Sequence, residues 1–376
     1  MTEKVLKFLE DKQLPTPLLV VDLDRIEENY RALERALPDA RIFYAMKANP
    51  APEVMARLVA LGACFDVASI NEVEQALAAG ATPDRLSFGN TIKKERDIAR
   101  AYALGVRLFA FDAEAELQKI ARAAPGARVF CRVLTSGEGA DWPLSKKFGC
   151  TPEMAVDLLQ AAPWLGLVPF GVSFHVGSQQ RDPEQWDTAI ATVARMFKRI
   201  EDESGIELQM LNLGGGFPTS YGEAVPSAAA YGEAIHASLL RHFGNHRPEL
   251  IVEPGRGLVG DAGVIETEVV LIARKGDGDH RRWVYLDIGK FGGLAETMDE
   301  AIRYPIESHR RGEAAPVVLA GPTCDSADVL YERNAVHLPT DLAIGDRVRI
   351  RSTGAYTTTY ASVGFNGFEP LRSVCI

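Results

Sequence analysis

The sequence predicts an α/β protein: a (β/α)8 TIM-like barrel followed by a C-terminal antiparallel β domain. Three observations predict it. Eight short apolar runs alternate with helix-length segments between positions 42 and 253, the strand count of a closed parallel barrel. After Gly257 the texture changes to strand-like runs separated by turns, with little helical periodicity. The polar and glycine-rich residues of the first part fall at the C-terminal ends of its strands, the edge at which barrels carry their reactive groups.

The elements follow in order. Pro17–Asp22 is a short apolar strand, and Asp24 is expected to cap a helix running to about Ala36. The barrel strands are expected at Ile42–Met46, Cys64–Ala68, Leu86–Gly89, Leu108–Phe111, Val129–Val133, Gly171–His175, Met210–Leu213 and Leu250–Glu253. Helical patterns fill the gaps at Pro52–Ala60, Ile70–Ala79, Lys93–Ala103, Ala113–Ala123, Pro152–Ala161, Pro183–Ser204 and Ala228–His242. Beyond the barrel, strands are expected at Val264–Ile272, Trp283–Leu286, Val317–Ala320, Arg347–Arg351 and Ala355–Tyr360, with one helical segment around Glu296–Ile302. The expected division is an N-terminal segment, 1–24, whose strand pairs into the β domain, a barrel at 25–258, and a β domain at 259–376. A doubly wound open sheet is the alternative arrangement of the same alternation.

Composition narrows the class. A chain of 376 residues with 47% hydrophobic and 24% charged residues has the make-up of a soluble globular protein. A net charge of −10 argues against nucleic acid or an anionic membrane as the main partner. Five cysteines without CxxC spacing fit a reducing cytosol, with no disulfide framework and no metal site. Met1–Gln13 mixes charges and lacks the apolar core of a signal peptide, and no apolar run is long enough to predict a membrane span. A cytoplasmic location is expected.

The stretch Phe43-Tyr44-Ala45-Met46-Lys47-Ala48-Asn49-Pro50 starts as a buried strand and ends in a loop at Asn-Pro. Lys47 stands at that junction. Burial is expected to lower its pKa and make it an amine nucleophile able to form a Schiff base. Five further features fall at the same rim: Asp66, Arg132, the run from Ser173 through His175 to Ser178, the triple Gly214-Gly215-Gly216, and Glu253-Pro254-Gly255-Arg256. Singly, each has a plain structural explanation: a flexible turn, a surface ion pair or a satisfied core histidine. Together they describe a phosphate cradle of bare N–H groups backed by Arg256. A flat imidazole and a carboxylate stand beside that cradle. A phosphate cradle, a buried lysine and a carboxylate near a ring suggest pyridoxal 5′-phosphate, with Lys47 holding the aldehyde and Glu253 keeping the pyridine nitrogen protonated. A barrel using lysine for aldolase-type chemistry is the rival, and accounts less well for Glu253 and His175.

On these residues the chain resembles the pyridoxal-phosphate-dependent decarboxylases of the alanine racemase fold, above all the ornithine decarboxylase branch with its bacterial lysine/ornithine relatives. The matching segments are Tyr44–Asn49, Phe65–Ser69, Ser173–Ser178, Gly214–Pro218, Glu253–Arg256, Gly321–Asp328, Gly354–Thr357 and Phe365–Phe368. The resemblance implies that Lys47 carries the Schiff base and that His175 stacks on the ring. It implies that Glu253, supported by Asp66, pairs with the ring nitrogen, and that Arg132 steers Glu253 or His175. Ser178, Gly214, Gly215, Gly216, Gly255, Arg256 and Tyr356 would surround the phosphate. Cys324 and Asp325 would enter from the partner subunit of a homodimer, with Cys324 as proton donor. Substrate contacts would come from Asp325, Tyr356, Phe365 and an acidic helix bearing Glu296, Asp299 and Glu300 on one face. The expected reaction is decarboxylation of ornithine to putrescine, with lysine to cadaverine as a second activity. The alternatives are meso-diaminopimelate decarboxylation and a catalytically silent regulatory homologue.

Overall fold

Alternation of buried apolar strands with amphipathic helices builds the larger layer. The computed structural model describes residues 1–142, 147–277 and 281–376. Strand β1 (Leu18–Val21) precedes the barrel. The barrel strands are β2 (Ala40–Ala45), β3 (Cys64–Val67), β4 (Leu86–Phe88), β5 (Leu108–Phe111), β6 (Arg128–Arg132), β8 (Val168–Ser173), β10 (Met210–Asn212) and β11 (Glu249–Val252). They close in the order β10-β11-β2-β3-β4-β5-β6-β8, every pair parallel. Two short strands, β7 (Ala140–Trp142) and β9 (Ser178–Gln180), pair antiparallel outside that ring.

The core divides as a closed barrel requires. Phe43, Cys64, Leu108, Ala110, Phe130, Phe170, Met210 and Ile251 form a cluster of their own, one face of the strands turned inward. The other face, with Phe65, Phe109, Val129, Val172, Leu211 and Val252, packs into the larger core with the helices. Helices begin where the sequence provides caps. Ser69, Thr151 and Ser227 accept from backbone N–H groups two or three residues inside their helices. The first long helix, Leu23–Ala36, is capped by Asp22, whose carboxylate accepts from Asp24 N–H, and not by Asp24. A further helix, Glu3–Lys12, occupies the charged N-terminal stretch, capped by Thr2, and buries Val5 and Leu9.

The second layer is a sheet of β12 (Gly263–Ala273), β13 (Arg282–Leu286), β14 (Ile306–Ser308), β15 (Ala314–Ala320), β16 (Val329–Pro339), β17 (Arg347–Arg351) and β18 (Arg372–Cys375), joined by β1. It is mixed, not purely antiparallel. β13 pairs parallel to β15, and β1 pairs parallel to β18 while antiparallel to β12. Two sequence expectations fail here. Ala355–Tyr360 is a series of bends, with Tyr356 at φ 58°, a conformation no strand tolerates. Glu296–Ile302 is not a regular helix. Residues Ala295–Glu300 form 3₁₀ turns broken at Met298 (ψ 133°) and Asp299 (φ 52°). Among the described residues no helix is long and apolar enough to cross a membrane.

Candidate active site

β2 ends in a single 3₁₀ turn, Met46–Ala48, that lifts Lys47 off the strand. The turn is fastened from both sides. Tyr44 Oη donates to Asn49 O at 2.9 Å, Tyr356 N–H donates to Ala48 O at 2.9 Å, and Thr359 Oγ1 donates to Lys47 O at 2.8 Å. The backbone is therefore held while the side chain stays 53% exposed to the space above the rim. Its Nζ lies 3.7 Å from Asp66 Oδ2. Burial works to lower the lysine pKa, but Asp66, Tyr356 and Glu253 outweigh it, and the pKa is raised. This corrects the expectation that burial would win: two acids beside an ammonium favour its charged form.

Those acids carry the opposite strain. Burial raises the pKa of Asp66, with Lys47 and Arg132 pulling it back. Its Oδ1 is buried without a hydrogen-bond partner. Burial and the neighbouring Asp66 push Glu253 up to about 7, although Asn212 Nδ2 donates to Glu253 Oε1 at 2.5 Å. Arg132 closes the group. Its guanidinium, pKa lowered by burial, lies 5.3 Å from the Phe148 ring centroid. His175 Nδ1 accepts from Gly177 N–H at 2.9 Å, which leaves the ring proton on Nε2. Burial and the nearby Arg132 and Lys47 charges lower its pKa to about 3, so the imidazole is neutral.

Beside this cluster lies a strip of bare backbone. Gly214 and Gly216 adopt φ 69° and 105°. A Cβ on Gly214 would stand 2.1 Å from Phe174 O, and one on Gly215 would stand 2.6 Å from Glu253 O. Only glycine fits, and the strip runs against Glu253 and His175. A Cβ on Gly255 would meet the hydroxyl of Tyr356 at 3.3 Å. Arg256 is buried. Its Nε and Nη2 face Ser178 Oγ at 3.4 and 3.3 Å, and its Cζ lies 4.9 Å from the Tyr356 ring centroid.

The acidic segment behaves differently from its sequence reading. Because the backbone breaks at Met298 and Asp299, the three acids do not share a face. Glu296 is buried against Arg256, Oε2 to Nη1 at 2.7 Å and Oε1 to Nη2 at 2.5 Å. The Asp299 side chain is 92% exposed, 3.6 Å from Arg333. Glu300 accepts from the N–H groups of Glu332, Arg333 and Asn334. Cys324 and Asp325 are exposed on the second domain. Cys324 N and Sγ both reach Asn366 Oδ1, at 3.1 and 3.3 Å, and Phe365 beside it packs on Phe291, ring centroids 4.8 Å apart. The buried Asp328 accepts from Thr323 N–H and Lys290 N–H and pins that turn.

Three residues that matter here escaped the sequence reading. Asn212 holds both Glu253 and the Gly214 N–H. A polar residue inside an apolar strand was its only signal. Asp328 closes the matching segment Gly321–Asp328 but was given no role there, and Tyr221, whose Oη accepts from Arg256 Nη1 at 2.6 Å, carried no signal.

A closed barrel with this rim has the features of a pyridoxal 5′-phosphate protein. The unpartnered Asp66 oxygen and Glu253, its pKa raised to about 7, suit a cationic N–H, and the glycine strip, packed so tightly on backbone that no Cβ fits, keeps bare N–H groups of the kind that cradle a phosphate. Comparison with known proteins agrees. Residues 23–260 match the family model described as the pyridoxal binding domain of pyridoxal-dependent decarboxylases. A lysine/ornithine decarboxylase of Selenomonas ruminantium is 38% identical over 371 residues, covering 98% of this chain and 91% of the relative. Among solved structures, a Vibrio vulnificus lysine/ornithine decarboxylase complexed with cadaverine superposes with TM-score 0.90 at 34% identity, covering 100% of this chain and 99% of the other. An arginine decarboxylase of Paramecium bursaria Chlorella virus does so with TM-score 0.90 at 28% identity and full coverage of both chains. The chain belongs to the pyridoxal-dependent decarboxylase family, and its cofactor is pyridoxal 5′-phosphate.

Proposed function

We propose that the protein decarboxylates basic L-amino acids in the cytoplasm, with ornithine to putrescine as the principal reaction and lysine to cadaverine as the second. The observation that carries the reading is the pairing of Lys47 with two acids, Asp66 and Glu253, on one barrel rim beside a neutral His175 and a glycine strip. When bound, pyridoxal phosphate supplies an electron sink for the pair left when the substrate carboxylate departs as carbon dioxide. The chain does the rest. Lys47 Nζ, presented at the rim beside Asp66, is the amine that would hold the cofactor's aldehyde. Glu253, fixed by Asn212 and flanked by Asp66, accepts from the ring N–H and keeps the proton there. His175 presents its flat neutral ring, and Ser178 and the N–H groups of Gly214–Gly216 take the phosphate. The lysine and arginine enzymes among its relatives support a basic substrate as a class.

The distal amine of such a substrate needs an anion when desolvated. Glu296 is committed to Arg256, Glu300 to three backbone N–H groups, and Asp299 lies 3.6 Å from Arg333. The acid put forward is Asp325, which the family resemblance also marks and whose Oδ1 accepts a single backbone N–H, from Ala327. It is exposed together with Cys324, the state of residues that complete another subunit's pocket. The protein is accordingly a homodimer with shared sites, in which Cys324 delivers the proton to the former α-carbon. Mixing inactive Lys47→Ala and Cys324→Ala chains, with subunit exchange shown by a tag, should restore about a quarter of wild-type activity. No recovery after proven exchange refutes the shared site. Product analysis with ornithine, lysine, arginine and meso-diaminopimelate tests the substrate. Putrescine as the major amine supports the reading, and release of lysine from diaminopimelate alone overturns it.

A further inference from the structure

All five N–H donors of Arg256 face protein acceptors: two go to the carboxylate of Glu296, one to Tyr221 Oη, and two face Ser178 Oγ. The pair is shut away from water, Arg256 at 4% exposure and Glu296 at 5%. Tyrosines wall it in. The Tyr221 and Tyr356 rings lie against the guanidinium, and Tyr304 stacks edge-on to Tyr221 with ring centroids 5.4 Å apart. The glycine strip is adjacent through Ser178, since a Cβ on Gly216 would stand 2.7 Å from Gly177 O. The buried cation at this end of the site therefore arrives with its own carboxylate. That arrangement is not what direct capture of a phosphate by Arg256 requires. A guanidinium neutralised by a two-point ion pair offers a dianion little net charge.

We propose that Glu296 sets the charge balance of the phosphate subsite, neutralising Arg256 in the cofactor-free protein and so limiting how tightly the phosphate is held. The inference rests on the reading that Ser178, the glycine strip and Arg256 surround the phosphate. Glu296 is on this account a positioning residue that acts through Arg256, not a contact for the substrate's distal amine. Removing its charge leaves a buried cation without a counter-ion, which destabilises the empty protein. The phosphate then becomes that counter-ion, and binding strengthens.

The test uses the full chain stripped of cofactor and titrated with pyridoxal 5′-phosphate and, separately, with pyridoxal. Binding is followed by the absorbance of the lysine-linked cofactor. Glu296→Gln should bind pyridoxal phosphate about tenfold more tightly than wild type. Pyridoxal, which lacks the phosphate, should be unaffected, and the empty variant should melt at a lower temperature. Glu296→Asp, which keeps the charge but is one methylene too short for the two-point contact, should gain about threefold. It decides the matter if the glutamine variant does not fold. An affinity that is unchanged or weaker, or a gain shared equally by pyridoxal, overturns the proposal. So does a rise in KM for the amino acid with cofactor affinity unmoved, which returns Glu296 to the substrate. If wild type and variants bind neither ligand, the parent reading of the site fails with it.

Discussion

The two ends of the proposed cofactor site are built on opposite electrostatic principles. At the ring end, Asp66 and Glu253 crowd together in the barrel mouth, and burial drives both pKa values up. They are left under-compensated by Lys47 and Arg132, and one Asp66 oxygen has no partner. At the phosphate end, Arg256 and Glu296 are fully paired and buried. One end is an under-compensated acidic cluster, and the other is a fully paired ion pair. Strain stored at a functional site is relieved by its ligand, whereas a satisfied ion pair holds geometry and mutes charge.

The contrast can be broken at the ring end first, where effects are largest. Lys47→Ala removes the nucleophile, so turnover should fall to background and borohydride should no longer trap cofactor on the chain. Trapped cofactor on another lysine displaces Lys47 from its role. Next comes Glu253→Gln. Loss of one preorganised electrostatic contact should lower kcat about 10²-fold or more while cofactor still binds through the phosphate cradle. The same variant reads the strain directly. The folded-state pKa of Glu253 is raised to about 7 from 4.5, so its contribution to stability is fully present below pH 4.5 and is lost as pH rises through 7. In the cofactor-free protein the stability difference between wild type and Glu253→Gln should therefore change across pH 4.5–7 and flatten outside it. A flat difference, measured by urea unfolding at several pH values, means the acid is not strained. The smallest effect belongs to Asn212→Ala. Its amide favours the ionised Glu253, so removing it should raise that pKa further, shift the acid limb of the kcat profile upward and cost about tenfold in kcat near neutrality. A profile superimposable on wild type shows that Asn212 is only part of the strand.

The pH dependence of stability has a second contributor, of opposite sign. The folded pKa of His175 is depressed to about 3 from 6.5, so its stabilising contribution is present above pH 6.5 and is lost as pH falls toward 3.

Periodicity and punctuation determined much of this protein. Apolar runs of strand length separated by helix-length amphipathic segments admit few closed solutions. The expected barrel strands match the observed ones to within a few residues, because one face of every strand must enter the lumen and the other must meet a helix. Lys47, His175, Gly214–Gly216 and Glu253 were legible for the same reason. Each stands where an apolar strand stops, and a polar or glycine residue at such a boundary is conspicuous. Tertiary structure decided what periodicity cannot encode. The helix expected at Glu296–Ile302 yields to a kinked turn because Glu296 is drawn into Arg256, forty residues away. The strand expected at Ala355–Tyr360 is instead a bent segment fastened to the Lys47 turn, through Tyr356 N–H on Ala48 O and Thr359 on Lys47 O. The sign of the Lys47 pKa shift depended on counting the acids that long-range folding places around it, and Asp66 and Glu253 come from strands far apart in the chain. Local sequence specifies which residues leave the core; only the closed barrel specifies which of them meet, because their contacts cross tens to hundreds of positions.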